Sequence, residues 1–196
     1  MSLPIALLAL QGAFAEHKKV LESLGAEVFE IRQAGDLEYP CAGLILPGGE
    51  STVQGKLLRD LELFDILQQR IISGLPVMAT CAGAILLAEK LQDSPVVHFG
   101  TLPVTIRRNA YGRQTASFYT YGKFAGSGDA IPMPFIRAPQ IISCAPEVEI
   151  LADFHGQATA VRYKNQLAMT FHPEITDSKV IHEYFLEKVV NVTSTI

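Results

Sequence analysis

Apolar and polar positions fall in blocks along the first ninety residues, and the block lengths switch between those of strands and those of helices. Residues 4–10 are a short apolar run closed by Gln11-Gly12. The next stretch sets Phe14, Val20, Leu21 and Leu24 near helical spacing before Gly25, which predicts an amphipathic helix. Residues 27–31 alternate like a strand, and 42–46 form another apolar run ending in Pro47-Gly48-Gly49. A helical pattern covers 51–73 in two pieces, Gly74 breaks it, and 75–80 read as a further buried strand. Residues 82–91 are strong helix formers and predict a helix directly after Cys81. Apolar strands interleaved with helices imply parallel βα units whose sheet is covered on both faces.

After Pro95 the texture changes. Short strands are expected at 101–106, 116–121, 140–144, 148–154, 159–163 and 167–171. His155-Gly156 and Lys164-Asn165 predict turns that join the last three as an antiparallel meander. A final helix over 177–190 carries Val180, Ile181, Tyr184, Phe185 and Val189 on one face, and 191–196 read as a frayed end. No linker or repeat divides the chain, so residues 1–196 are expected to form a single domain. The fold class expected is α/β: three layers, a mostly parallel central sheet with flanking helices, and a C-terminal antiparallel β portion.

Composition narrows the function classes. With 196 residues, 48% of them hydrophobic and 18% charged, the chain can bury a substantial core. The net charge is -4 and no basic cluster exceeds Arg107-Arg108, so neither nucleic acid nor an anionic membrane is expected as a partner. Residues 3–10 lack a basic flank and are far too short to span a bilayer. Cys41, Cys81 and Cys144 form no CxxC and cannot all pair, which suits a reducing cytosol. A cytoplasmic location is therefore expected.

Cys81 carries the strongest chemical signal. It stands where a buried strand runs straight into a helix, among the small residues Ala79, Ala82, Gly83 and Ala84 that such a tight turn needs. A thiol at a helix start faces free backbone N–H groups, which favour the thiolate. From its position alone, either a nucleophile or a buried packing cysteine fits. Cys41 and Cys144 lack the turn and read as packing residues.

A thiol nucleophile needs a base. Among five histidines, His172 follows an apolar strand and precedes Pro173-Glu174, so imidazole and carboxylate can project from one rigid loop. His17 and His182 lie in helices, where core or surface roles suffice, and His98 and His155 lie in loops or turns. The two glycines Gly48 and Gly49, ending a strand, let backbone N–H groups approach a developing oxyanion, each donor worth about 3 kcal/mol. They equally fit a plain turn with Ser51 or Thr52 capping the next helix. Their spacing is not that of a phosphate-cradling loop, and no cluster of metal-ligand types at ligand intervals appears.

Pro47-Gly-Gly-Glu-Ser-Thr52, Thr80-Cys-Ala-Gly83 and Phe171-His-Pro-Glu174 together resemble the class I (triad) glutamine amidotransferases. Leu8-Ala-Leu-Gln-Gly-Ala13 with Glu16-His17, Arg108-Asn109 with Gly112-Arg-Gln114, and Phe135-Ile-Arg-Ala-Pro139 are similar to the glutaminase subunits of pyridoxal 5'-phosphate synthases, over about residues 5–190. The length also suits a stand-alone subunit. The resemblance implies hydrolysis of L-glutamine to L-glutamate and ammonia, with Cys81 as nucleophile, His172 as base and Glu174 as its orienter. It implies an oxyanion hole from Gly48, Gly49 and Ala82, and contacts to L-glutamine from Gly48, Gly49, Glu50, Arg108, Ile136 and Arg137. It further implies that ammonia passes, within a hetero-oligomer, to a separate synthase subunit that makes pyridoxal phosphate from a pentose phosphate and a triose phosphate. The glutaminase itself would hold no cofactor and no metal. Gln11 and Gly12 correspond to the segment that couples activity to docking of that synthase.

Ala110 and Tyr111 depart from the Ser and Phe common in the family, and 122–133 match less well and are richer in glycine. Other readings compatible with these residues are a different hydrolase built on a cysteine turn, a glutaminase serving another synthase, or a catalytically silent scaffold.

Overall fold

The apolar runs form the centre of a seven-stranded sheet in a computed structural model that describes residues 4–92, 94–108, 117–125 and 127–191. β1 (Ile5–Leu8), β2 (Val28–Ile31), β3 (Gly43–Leu46) and β4 (Val77–Thr80) lie parallel in the spatial order β4-β3-β1-β2. β12 (Gln166–Met169) joins them from the far part of the chain, parallel to β4 with Met169 opposite Thr80. β11 (Gln157–Tyr163) and β10 (Glu149–Phe154) then extend the sheet antiparallel, as the two turns at 155–156 and 164–165 lead one to expect.

Both faces of this sheet are covered, which explains why its central strands are apolar without alternation. Ala6, Leu8, Leu44, Leu46, Val77 and Ala79 face one side. They pack with residues of α2 (Ser51–Asp60), α3 (Phe64–Ile72) and α4 (Ala82–Leu87), among them Leu58, Leu67, Ile71 and Leu86. The intervening Ile5, Leu7, Ile45 and Met78 face the other side. There they meet Leu21 of α1 (Phe14–Ser23) and Ile181, Phe185 and Val189 near the C-terminus. Leu44 and Leu46 are fully buried, so truncating either to alanine should destabilise by roughly 2–5 kcal/mol. The expected α/β class with a mostly parallel sheet, flanking helices and an antiparallel portion is what the chain adopts.

Three local expectations are corrected. The helix predicted over 82–91 ends at Leu87, and Ala88–Leu91 is β5, parallel to β6 (Leu102–Arg107). Pairing with β6 and burial of Ala88 and Leu91 outweigh the helical preference of Ala-Glu-Lys-Leu. β6 in turn pairs with β9 (Gln140–Cys144). β8 (Ala130–Ile136) was not expected, because Pro132 and Pro134 argue against a strand. Spaced by two, they put their missing N–H groups on one side of a two-stranded hairpin with β7 (Ser117–Lys123), where no ladder bond is needed. The last helix starts later than residue 177. Pro173–Ile175 form a 3-10 turn, α5 spans Val180–Tyr184, and Phe185–Val190 continue it as a wider π turn. Residue 116 of the expected strand, residues 109–114 of the Arg-Asn and Gly-Arg-Gln stretch, and 192–196 lie outside the described residues.

Candidate active site

Three neighbouring parallel strands, β3, β4 and β12, end side by side, and the candidate residues follow those ends. Ligands of open α/β sheets gather at this edge. Gly48 and Gly49 come after β3, Cys81 after β4, and His172 shortly after β12. Residues remote in sequence thus meet because Met169 registers with Thr80, and the Cys81 N–H donates to the Met169 carbonyl at 2.9 Å.

Cys81 occupies the turn between β4 and α4 with φ 48° and ψ -102°, a backbone region that costs a non-glycine residue on the order of 1–3 kcal/mol. The turn is tight enough that a Cβ on Gly83 would overlap the Leu46 carbonyl oxygen. Cys81 and His172 are each only 7% exposed, and the sulfur lies close enough to act on the imidazole's protonation. Both lie against Gly48, where a Cβ would overlap the His172 ring and approach the Cys81 Cβ at 3.4 Å.

His172 Nδ1 pairs with Glu174 Oε1 at 2.7 Å, and the His172 N–H donates to the Pro134 carbonyl of β8 at 2.9 Å. Burial works against the imidazolium, but hydrogen bonds and charge from Cys81 and Glu174 outweigh it and raise the His172 pKa to about 10. Burial likewise opposes ionisation of Glu174, yet His17 and His172 hold its carboxyl below the usual range. The pair is therefore disposed to keep a proton on the imidazole beside sulfur.

Behind Glu174 lies a polar cluster that the sequence did not single out. His17 Nε2 is 3.5 Å from Glu174 Oε2 and 3.1 Å from Thr80 Oγ1, while His17 Nδ1 meets His182 Nε2 at 2.9 Å. Both histidines are fully buried. Burial pushes His17 below its ordinary range against the pull of Glu174, and burial with the nearby His17 pushes His182 well below. The available signal was a polar residue on the apolar face of α1, at helical spacing from Val20 and Leu21.

The glycine loop is tied down on several sides. The Gly48 N–H donates to Thr80 Oγ1 at 2.9 Å, and its carbonyl accepts from the Ala13 N–H at 2.9 Å. Gln11 accepts the Glu50 N–H through Oε1 at 2.8 Å, and its carbonyl accepts from Gln54 Nε2 at 2.9 Å. Gly12 has φ 101°, and a Cβ there would overlap the Gly48 carbonyl oxygen. Gln11 and Gly12 are thus bonded to or packed on the loop that carries Gly48 and Gly49. Glu50, rather than Ser51 or Thr52, caps α2, accepting from Thr52 N–H at 3.2 Å and Val53 N–H at 2.8 Å. Slight burial resists its ionisation, but those amides and Arg108 hold its carboxyl below the usual range.

A cavity of ≈ 310 Å³ opens over these groups. Of the residues singled out in the sequence, Gln11, Gly12, Gly48, Gly49, Glu50, Cys81, Arg108, Ile136, Arg137 and His172 line it. Glu174 stands behind His172, and Ala82 is the first residue of α4. Ala13, Ser51, Ile85 and Pro139 also line the cavity and were not anticipated. Arg137 sits at φ 44° in the turn between β8 and β9, and Arg108 Nη1 reaches Thr52 Oγ1 at 3.4 Å. Two guanidiniums and a carboxylate thus border a space of amino-acid size. Among the described residues no group of three or more His, Cys, Asp or Glu side chains is arranged to hold a metal. No helix among them is long and apolar enough to cross a membrane.

An α/β sheet with its thiol turn at the central strand and an antiparallel extension beyond the histidine strand is the fold of the class I glutamine amidotransferases. A solved glutamine amidotransferase superposes with a TM-score of 0.88 at 42% identity, covering 93% of this chain and 97% of that one. The model of the SNO glutamine amidotransferase family matches residues 7–191, and the chain belongs to that family. Among curated relatives, pyridoxal 5'-phosphate synthase subunit PdxT of Desulfitobacterium hafniense (strain DSM 10664 / DCB-2) is 53% identical over 185 residues, 94% of this chain and 92% of the relative. The protein of the same name from Streptococcus pneumoniae (strain CGSP14) is 51% identical over 186 residues, 93% of this chain and 95% of the relative.

Proposed function

We propose that this chain hydrolyses L-glutamine to L-glutamate and ammonia, and delivers the ammonia to a separate synthase subunit that makes pyridoxal 5'-phosphate. Residues 1–196 are read as one glutaminase domain acting in the cytoplasm. The observation that carries the reading is Cys81 beside a His172 that is hydrogen-bonded to Glu174, at the wall of a cavity bordered by Arg108, Arg137 and Glu50. The PdxT relatives, similar along nearly the whole length, supply the synthase context.

In this mechanism the Cys81 sulfur attacks the side-chain carboxamide carbon of glutamine. The tetrahedral oxyanion is met by backbone N–H groups of the glycine loop and of Ala82. His172, its Nδ1–H bonded to Glu174, gives its Nε2 proton, taken from the thiol, to the departing nitrogen, and ammonia leaves a thioester. Water then attacks the thioester with His172 as base. The second tetrahedral species expels the Cys81 sulfur, and glutamate is released. Arg108 and Arg137 provide cations for the substrate carboxylate, and Glu50 an acceptor for its ammonium. The Gly48 N–H is engaged with Thr80 Oγ1 and must exchange that bond to serve the oxyanion. Gln11 and Gly12, bonded to or packed on the same loop, are where docking of the synthase would act on that exchange.

The test is glutamine hydrolysis by wild type and Cys81→Ala, each with and without the synthase subunit. Hydrolysis that rises with the synthase and vanishes in Cys81→Ala is expected. Activity that survives the substitution and ignores the synthase refutes the reading.

A further inference from the structure

Glu174 turns Oε1 to His172, while Oε2, buried and without a hydrogen-bond partner among the described residues, lies 3.5 Å from His17 Nε2. His17 lies on α1 and does not line the cavity. The same Nε2 is 3.1 Å from Thr80 Oγ1, the acceptor of the Gly48 N–H. One imidazole therefore adjoins both the carboxylate that orients the base and the hydroxyl that holds the glycine loop.

The neighbours assign its proton. A carboxylate oxygen facing Nε2 calls for an N–H there, so Nδ1 accepts from His182 Nε2–H. That leaves His182 Nδ1 as a bare acceptor, and it is a buried atom without a hydrogen-bond partner among the described residues. The opposite tautomers would set a lone pair against the carboxylate and strand a buried N–H, the costlier arrangement.

We propose that His17 is a positioning residue for the triad: its Nε2–H holds Thr80 Oγ1, the anchor of the glycine loop, and turns its positive end toward the Glu174 carboxylate behind His172. The proposal rests on the reading of Cys81, His172 and Glu174 as a triad. Titratable groups acting on His17 are Glu174 and His172 from the loop after β12, His182 of α5, and Glu16 on its own helix. Without the donor, Glu174 is free to turn from His172, the imidazolium loses its partner, and the sulfur becomes reactive only at higher pH.

Alkylation of Cys81 by iodoacetamide as a function of pH, read from the mass of the Cys81 peptide, reports this directly. It uses neither glutamine nor the synthase, so failure of the glutaminase reading leaves it interpretable. His17→Leu and His17→Asn are expected to raise the pH midpoint by about one unit, so that alkylation one unit below the wild-type midpoint drops roughly tenfold. His17→Gln, whose amide nitrogen falls near the position of Nε2, is expected to stay within about twofold of wild type. In the complex with the synthase, kcat should follow the same order with KM for glutamine little changed. Should His17→Leu not fold, the Gln and Asn pair decides. Superimposable alkylation profiles for wild type and His17→Asn, or a His17→Gln as impaired as His17→Asn, overturn the proposal.

Discussion

Lowering the pH from 6.5 to 5.5 should destabilise this protein more than its surface charges can explain. His17 and His182 are fully buried and their pKa values are pushed down, by burial above all. The unfolded chain takes up protons at these residues below about pH 6.5, whereas the folded chain resists. Their contribution to stability is therefore present above pH 6.5 and is lost as the pH falls toward the folded-state values. If the folded chain took up no proton at either, each would remove about 1 kcal/mol between pH 6.5 and 5.5, so the pair removes up to about 2 kcal/mol. That is a large share of the roughly 5–15 kcal/mol that holds a domain of this size together. His98, also shifted down by burial, adds in the same direction but is more open to solvent. His172 acts on the other side. Raised to about 10, its contribution is full below pH 6.5 and is lost as the pH climbs toward 10. Stability should thus peak near pH 6.5. Urea midpoints at half-unit steps from pH 5 to 9 measure the curve, and His182→Leu should remove about half of the acidic loss. A curve flat between pH 5.5 and 6.5, or an acidic limb untouched by that substitution, refutes the reasoning.

Gly83→Ala sets a Cβ into the Leu46 carbonyl, so α4 must back away from β3; a loss of about 1–3 kcal/mol is expected in thermal melts. Gly12→Ala meets both an unfavourable φ of 101° and the Gly48 carbonyl, breaking the contact of the 11–13 segment with the glycine loop. Its hydrolysis of glutamine in the presence of the synthase should fall at least about tenfold, and unchanged turnover would separate that segment from catalysis. Glu50→Ala removes the cap of α2, at about 1 kcal/mol in denaturant unfolding, and should also raise KM for glutamine. An effect on stability with KM unmoved would take Glu50 out of the substrate site.

Local chemistry was the legible part. The turn at Cys81 could be read because strand, small residues and helix adjoin in sequence, and His172 with Glu174 because a proline fixes them on one short loop. That the sulfur and the imidazole meet depends on Met169 registering with Thr80, a long-range pairing that no local pattern encodes. β5 was hidden for the same reason, since only its neighbour β6 turns Ala88–Leu91 away from a helix. β8 was hidden by prolines harmless in a two-stranded hairpin. His17 read only as a core or surface helix residue because its partners, Glu174, Thr80 and His182, come from three other segments.

The sheet order has a consequence for a chain still being made. Since β12 docks beside β4, the thiol is synthesised long before its imidazole can exist next to it. On the proposed mechanism, an emerging or half-folded polypeptide with a lone sulfur and no proton carrier is inert toward amides. Competence arrives only when the sheet accepts its late central member, which makes turnover a direct reporter of completed assembly.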